Sequence, residues 1–333
     1  MSYFSFEQKR NINKCAVIGC GSTGAAAAHA LLQSGAVDAL VLINPDKRIS
    51  DGLASDLYCA LPLDANTDIW AGDYSDLSDC ALIILALGHI RLHESAHADL
   101  VALNLPMIRN AATNIMANYK DSVILVLSQP CEIMTMALLQ YSGLPSHKVV
   151  GIGTLPQSLH LRRLLSKFLG ADAKQIHARI LGGSDGNGVF CLDSIRIGAS
   201  SIQDHMTATG RSYDRAMLQS LYEDTVNAIS RAESAGGCAT FAISSACALF
   251  SQCCLSDTNT VLPLCTSTQG FADLAQSCQS LPCRVCRQGV YALTEAMILP
   301  DELDSLRRVS ARMHAQMMDA AQIFYPDNEK RVH

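Results

Sequence analysis

The stretch Cys15-Ala-Val-Ile-Gly19-Cys20-Gly21-Ser22-Thr23-Gly24 decides the fold. Residues 15–18 are an apolar run that reads as a buried strand. Gly19, Gly21 and Gly24 then form a GxGxxG. Residues 23–34 read as an alanine-rich helix ended by Gly35. A glycine motif that leaves a strand and opens a helix is the setting of a dinucleotide-binding turn. The glycines permit a tight turn, close approach of backbone to a pyrophosphate, and close packing of helix on strand. The helix N-terminus offers unpaired N–H groups to the anion. Gly19, Cys20, Gly21, Ser22, Thr23 and Gly24 are therefore candidate cofactor-binding residues.

Outward from this motif, the first half alternates short apolar runs with helical patterns. Residues 40–43 form one run. Ala81-Leu-Ile-Ile-Leu-Ala-Leu87 forms another, stopped by Gly88. Val123-Ile-Leu-Val-Leu127 is stopped by Ser128-Gln129-Pro130, and Val149-Val150 precedes Gly151. Uninterrupted apolar strands between helices indicate a parallel sheet covered on both faces. Residues 12–150 thus read as an α/β, doubly wound dinucleotide-binding domain of the Rossmann type. Residues 151–325 read as a second, α+β domain. It has helices over 155–170, 211–234, 237–255 and 301–323. Short β pieces fall in 178–202, with longer strands near 261–266 and 281–286.

The chain has 333 residues, enough for two domains of about 150 residues each. Hydrophobic residues at 49% and charged residues at 17% specify a folded chain. A net charge of −6 disfavours a nucleic-acid or anionic-membrane surface. No apolar run is long enough to span a bilayer, and the first residues carry no signal-like apolar segment. A cytoplasmic protein is expected. The 14 cysteines read as buried reduced thiols, not a disulfide framework. Cys278, Cys283 and Cys286 lack a second pair at zinc spacing, and on a strand Cys283 and Cys286 face opposite ways. No metal site is expected there.

An acidic ribose partner normally stands about 20 residues past the glycines. Here that position is Asn44, which brings no charge. NAD is the expected cofactor, with binding weakened by Asn44. Lys47 and Arg48 follow and leave NADP open.

Several stretches run in the order found in the lactate/malate dehydrogenase family. They are GCGSTG, Gly52 with Asp56-Leu57, Asp99-Leu100 with Asn104, Ser128-Gln129-Pro130 with Glu132, Gly151-Ile-Gly153, Leu181-Gly182 and Ser280-Leu-Pro-Cys283. The chain resembles that family over residues 12–323. SQPCEIMT and GLPSHKVVGIG most resemble one branch, the lactate-dehydrogenase-like domain of ubiquitin-conjugating-enzyme variant proteins, without the ubiquitin-conjugating-like domain. The resemblance implies a substrate domain after the dinucleotide domain, and pairing through helices beside the cleft. A homodimer is expected over an arm-exchanged tetramer, because few residues precede Lys14.

The resemblance also implies four catalytic positions, and all four are substituted. The carbonyl-polarising arginine falls on His97, the aspartate that orients the histidine on Gln157, the carboxylate-clamping arginine on His160, and the acid/base histidine on Ser184. The asparagine near the carboxamide falls on Gln129, and a nearby threonine on Ala239. Gly88, Ser128 and Gln129 complete the implied cofactor site. Serine does not take a proton near neutral pH, and histidine lacks arginine's planar fork. Pro106 should delay the helix after the loop to about Leu105 and leave His97 on a longer loop.

These losses favour a catalytically inactive or strongly altered dinucleotide-binding homologue with a regulatory role, served by a protein partner. They argue against lactate or malate dehydrogenation. The alternative is an active NAD(P)-dependent oxidoreductase with another substrate. A third reading is an interaction scaffold with an empty cleft, which the intact glycine motif disfavours. His89, His93 and His97 recur every four residues, but Gly88 argues against one helical metal-binding face. A Ser184–His160 nucleophilic pair lacks the GxSxG elbow. Asp185 and Asp193 read as loop and strand-end residues.

Overall fold

A computed structural model describes residues 13–63, 65–89, 97–236, 239–271 and 273–324. In the first half, β1 (Lys14–Ile18), α1 (Ser22–Ser34), β2 (Ala39–Ile43), α2 (Lys47–Cys59) and β3 (Asp68–Ala71) come first. Then follow β4 (Leu82–Leu85), α3 (His97–Asn118), β5 (Val123–Val126), α4 (Cys131–Ser142) and β6 (Val149–Gly151). The second half has α5 (Leu155–Leu169), β7 (Ile176–His177), β8 (Ile180–Gly182), β9 (Gly188–Phe190), β10 (Arg196–Ile197) and β11 (Ser200–Ser201). It continues with α6 (Ile202–Ala208), α7 (Arg215–Gly236), α8 (Thr240–Leu255), β12 (Thr260–Ser267), β13 (Cys278–Cys286), β14 (Gly289–Ala292) and α9 (Pro300–Phe324).

Strands β1 to β6 pair in parallel in the order β3-β2-β1-β4-β5-β6. The order reverses beside β1, which opens a crevice at the strands' C-terminal ends. β1, β2, β4 and β5 are buried along almost their whole length, as uninterrupted apolar runs require. The sheet does not stop at β6. Cys265 of β12 pairs antiparallel with Gly151, and β13, β8 and β9 carry the sheet on. One apolar core, from Cys15 to Met317, lies on both sides of this join. A second core under α5, α6 and α7 joins Leu161, Leu165, Ile176, Ile195, Met206 and Leu218.

α3 departs from the sequence expectation. It begins at His97 and continues through Pro106 to Asn118. The proline ring and Ala102, whose carbonyl loses its helical donor, both lie on the exposed face. Leu100, Val101, Leu105, Ile108, Ala112 and Ile115 are buried on the opposite side. Their burial offsets the roughly 3 kcal/mol that an interior proline costs. The side chain of His97, and all of His93, lie outside the described residues. No helix among the described residues is long and apolar enough to cross a membrane.

Candidate functional site

The glycine turn is built as its residue types require. Gly19 has φ +100, and its N–H donates to Ile43 O at 2.8 Å. A Cβ on Gly24 would stand 1.8 Å from Gly19 O, so only glycine lets α1 sit this close to the turn. Gly21 caps α1 in extended conformation, with no side-chain cap hydrogen bond among the described residues. Gly21, Ser22 and Thr23 border a cavity of about 300 Å³. These features fit a dinucleotide pyrophosphate, which needs backbone N–H groups and no intervening side chain.

Asn44 lies behind the turn. Its Oδ1 accepts from Cys20 N at 3.1 Å and its Nδ2 donates to Asp46 O at 3.1 Å. The residue thus braces the glycine turn. Arg48 is held by Asp46 through Nε (3.0 Å) and Nη2 (2.7 Å), and this pair lowers the Asp46 carboxyl. Burial pushes the Cys20 thiol up to about 11, so it stays protonated and inert.

The cavity continues past Gly88, Ser128 and Gln129. Gly88 has φ +139, and a Cβ there would meet the Asn104 side chain at 2.9 Å. Asn104 is fully buried on α3. Its Oδ1 accepts from His89 N at 2.7 Å, and its Nδ2 donates to Gln129 O at 2.8 Å. One side chain therefore ties the loop after β4 to the loop after β5. Gln129 Oε1 accepts from Cys131 N at 3.2 Å, and Ser128 Oγ donates to Leu85 O at 3.3 Å.

At the far end the cavity meets Gln157, Ser184, Glu132, Asp185 and Ala239. Gln157, in the first turn of α5, donates from Nε2 to Ser184 O at 3.0 Å. Its Oε1 is buried and accepts no hydrogen bond among the described residues. Ser184 donates twice to Glu132: N to Oε1 at 2.7 Å and Oγ to Oε2 at 3.1 Å. Glu132 lies in the first turn of α4 and is buried. Burial pushes its carboxyl up to about 7, the negative Asp185 adds to the rise, and the two Ser184 bonds oppose it. Ile152, Val226, Ile229 and Ile243 form apolar wall.

The structure thus gathers Gln157 and Ser184, but not His160. His160 sits on α5, half-buried, and does not line the cavity. Desolvation and the cations Arg163 and Arg231 lower its pKa, so it is uncharged at neutral pH. The Ser184–His160 pairing has no contact to support it. Asp185 lies in the cavity, whereas Asp193 binds Arg215 at 3.0 Å on the surface. No lysine or arginine lines the cavity among the described residues. Cys283 Sγ donates to Leu281 O at 3.2 Å and Cys286 Sγ to Gly289 O at 3.3 Å.

Sequence reading assigned no role to Glu132 or Asn104. The available signal for Glu132 was a single charge inside the apolar helical run CEIMTMALL.

The model of the lactate/malate dehydrogenase NAD-binding domain matches residues 13–151, and that of the family's alpha/beta C-terminal domain matches residues 158–323. An L-lactate dehydrogenase of Synechococcus sp. (strain JA-3-3Ab) is 30% identical over 92% of this chain and 99% of its own length. The crystal structure of a lactate dehydrogenase from a Medee basin deep-sea metagenome library superposes with TM-score 0.86 and 26% identity, covering 93% of this chain and 98% of that one. The minor L-lactate dehydrogenase of Enterococcus mundtii shares the fold, with TM-score 0.87 and 24% identity over 93% of this chain and 99% of that one. These relatives correct two expectations: that the protein is an inactive homologue, and that lactate and malate are excluded as substrates. The physical reason is that lost groups were counted position by position. Such a count does not weigh the groups around each position, and the cavity also holds Glu132.

Proposed function

The chain belongs to the lactate/malate dehydrogenase family, and from that premise we propose that it is an active NAD-dependent oxidoreductase interconverting a small 2-hydroxy acid and its 2-oxo partner. The observation that carries the reading is one continuous cavity. It joins the glycine turn at the start of α1 to the Gln157–Ser184–Glu132 group. The names of the relatives support lactate as the first substrate to assay.

The bound dinucleotide would supply hydride chemistry to the substrate carbon. Gly21, Ser22 and Thr23 would hold its pyrophosphate, and Gly88, Ser128 and Gln129 would line its remaining path. Gln157 would hold the Ser184 segment at the cavity through its Nε2 bond to Ser184 O. NAD is preferred over NADP because Arg48 is already engaged by Asp46, and that carboxylate repels a 2′-phosphate.

The test is loss of NADH absorbance with pyruvate, longer 2-oxo acids and uncharged 2-oxo compounds, repeated with NADPH. Turnover of a 2-oxo acid with NADH supports the reading. No turnover with any of them, or turnover confined to NADPH, overturns it. We also infer a homodimer or tetramer in a cytoplasmic setting, checked by sedimentation and cell fractionation. Kinship with the ubiquitin-conjugating-enzyme variant branch rests on SQPCEIMT and GLPSHKVVGIG, and a family tree tests it.

A further inference from the structure

Resting on that reading of the site, we propose that Ser184 exchanges the proton on the substrate oxygen and Glu132 stores it, a hydroxyl–carboxylate relay in place of an imidazole. The two residues are 52 positions apart in sequence and meet at the cavity's far end. Both carboxylate oxygens of Glu132 accept from this one residue, through its N–H and its hydroxyl. No ion pair to Glu132 occurs among the described residues. A carboxylate buried without a cation is costly, and a purely structural role would be served as well by an amide.

The titratable groups facing Glu132 are Asp185, beside Ser184, and the thiols of Cys131 on α4 and Cys265 on β12. Both thiols are pushed well above their ordinary value and stay neutral. Burial first, and then proximity to Asp185, therefore hold the carboxyl near 7, with no cation among the described residues to offset them. A proton acceptor matched to neutral pH is what general base catalysis requires.

The bond in place already runs in the needed direction, from Ser184 Oγ to Glu132 Oε2. In oxidation, the substrate O–H breaks and its proton bonds to Ser184 Oγ. The serine's own proton passes to Glu132 Oε2, and a bound nicotinamide would supply the acceptor for the substrate's hydride as the C=O forms. Reduction reverses each transfer. Glu132 then exchanges its proton with water, so charge and atoms balance. Ser184 is the catalytic residue in this scheme, and Glu132 acts through it.

The test compares wild type with Glu132→Gln and Ser184→Ala. The glutamine keeps an acceptor for Ser184 N but takes no proton. We expect alcohol oxidation to fall about 10²–10⁴-fold in either variant, with no further fall in the double variant. The wild-type limb of kcat/KM near pH 7 should vanish in Glu132→Gln. NADH affinity, read by calorimetry, should change little. Infrared spectra of the unliganded protein should show a carboxylic C=O band that titrates near pH 7 and is absent in Glu132→Gln. An active wild type with a Glu132→Gln variant that keeps the rate and the limb overturns the relay alone. A band that titrates below about pH 5 overturns it regardless of turnover. A wild type that turns over no 2-oxo or 2-hydroxy compound overturns the relay together with the reading beneath it.

Discussion

Glu132 makes a stability prediction that is independent of turnover. Its carboxyl is raised from 4.5 to about 7 by burial. The folded state therefore holds a proton that the unfolded chain releases above its lower pKa. The Glu132 contribution is fully present below about pH 4.5 and is lost as pH rises to about 7. Its size is about 3 kcal/mol, and Glu132→Gln should flatten that part of the stability profile. Urea midpoints measured every half pH unit check this; an unchanged slope in the variant counts against it. Gly24 carries a second prediction at this scale. A Cβ 1.8 Å from Gly19 O must push α1 off the turn, so Gly24→Ala should weaken NADH binding at least tenfold, read by calorimetry. Such glycines were legible in the sequence because the motif has one physical meaning beside a strand and a helix. Ser184 and Gln157 could be located by motif order. The Glu132–Ser184 contact could not, because no local pattern joins residues 52 positions apart.

At the scale of elements, the buried strands were the most legible feature. β1, β2, β4 and β5 are covered on both faces, so each is an unbroken apolar run that no exposed helix would carry. The start of α3 was misread because a local rule met a stronger tertiary one. Pro106 removes one helical bond on the exposed face, while the opposite face buries Leu105, Ile108 and Ala112. Pro106→Ala should therefore stabilise the protein, by about 1–3 kcal/mol after the gain in unfolded-chain entropy is deducted. Thermal unfolding reads this, and a fall in Tm would show that the ring itself packs usefully. Asn104, on the same helix, should behave in the opposite sense. Asn104→Leu leaves His89 N and Gln129 O without the partners they have now. The cost should be about 2–4 kcal/mol, with a parallel loss of NADH affinity as the two loops lose their tie.

Across the whole molecule, the continuity of the sheet decides how the chain unfolds. A division near residue 150 falls at β6, and that strand is not an edge. β6 pairs with β5 on one side and with β12, through Gly151 and Cys265, on the other. α1 of the first half packs on α8 of the second, and Leu31, Phe250 and Cys265 belong to one core. Separating the halves would expose an apolar helix face together with unpaired strand N–H and C=O groups, each a substantial cost. A fragment ending at residue 150 should therefore not fold alone, and the whole chain should lose both halves in one cooperative step. The single tryptophan makes this measurable. Trp70 lies on β3, at the sheet end farthest in strand order from β13 and β9, with Lys14 Nζ 5.2 Å from its ring. Its fluorescence reports the first half only, whereas far-ultraviolet circular dichroism also sees α5, α7, α8 and α9. Coincident urea transitions from the two probes are expected. A fluorescence transition that precedes or trails the dichroism would mean that the join at β6 and the α1–α8 contact are too weak to couple the halves.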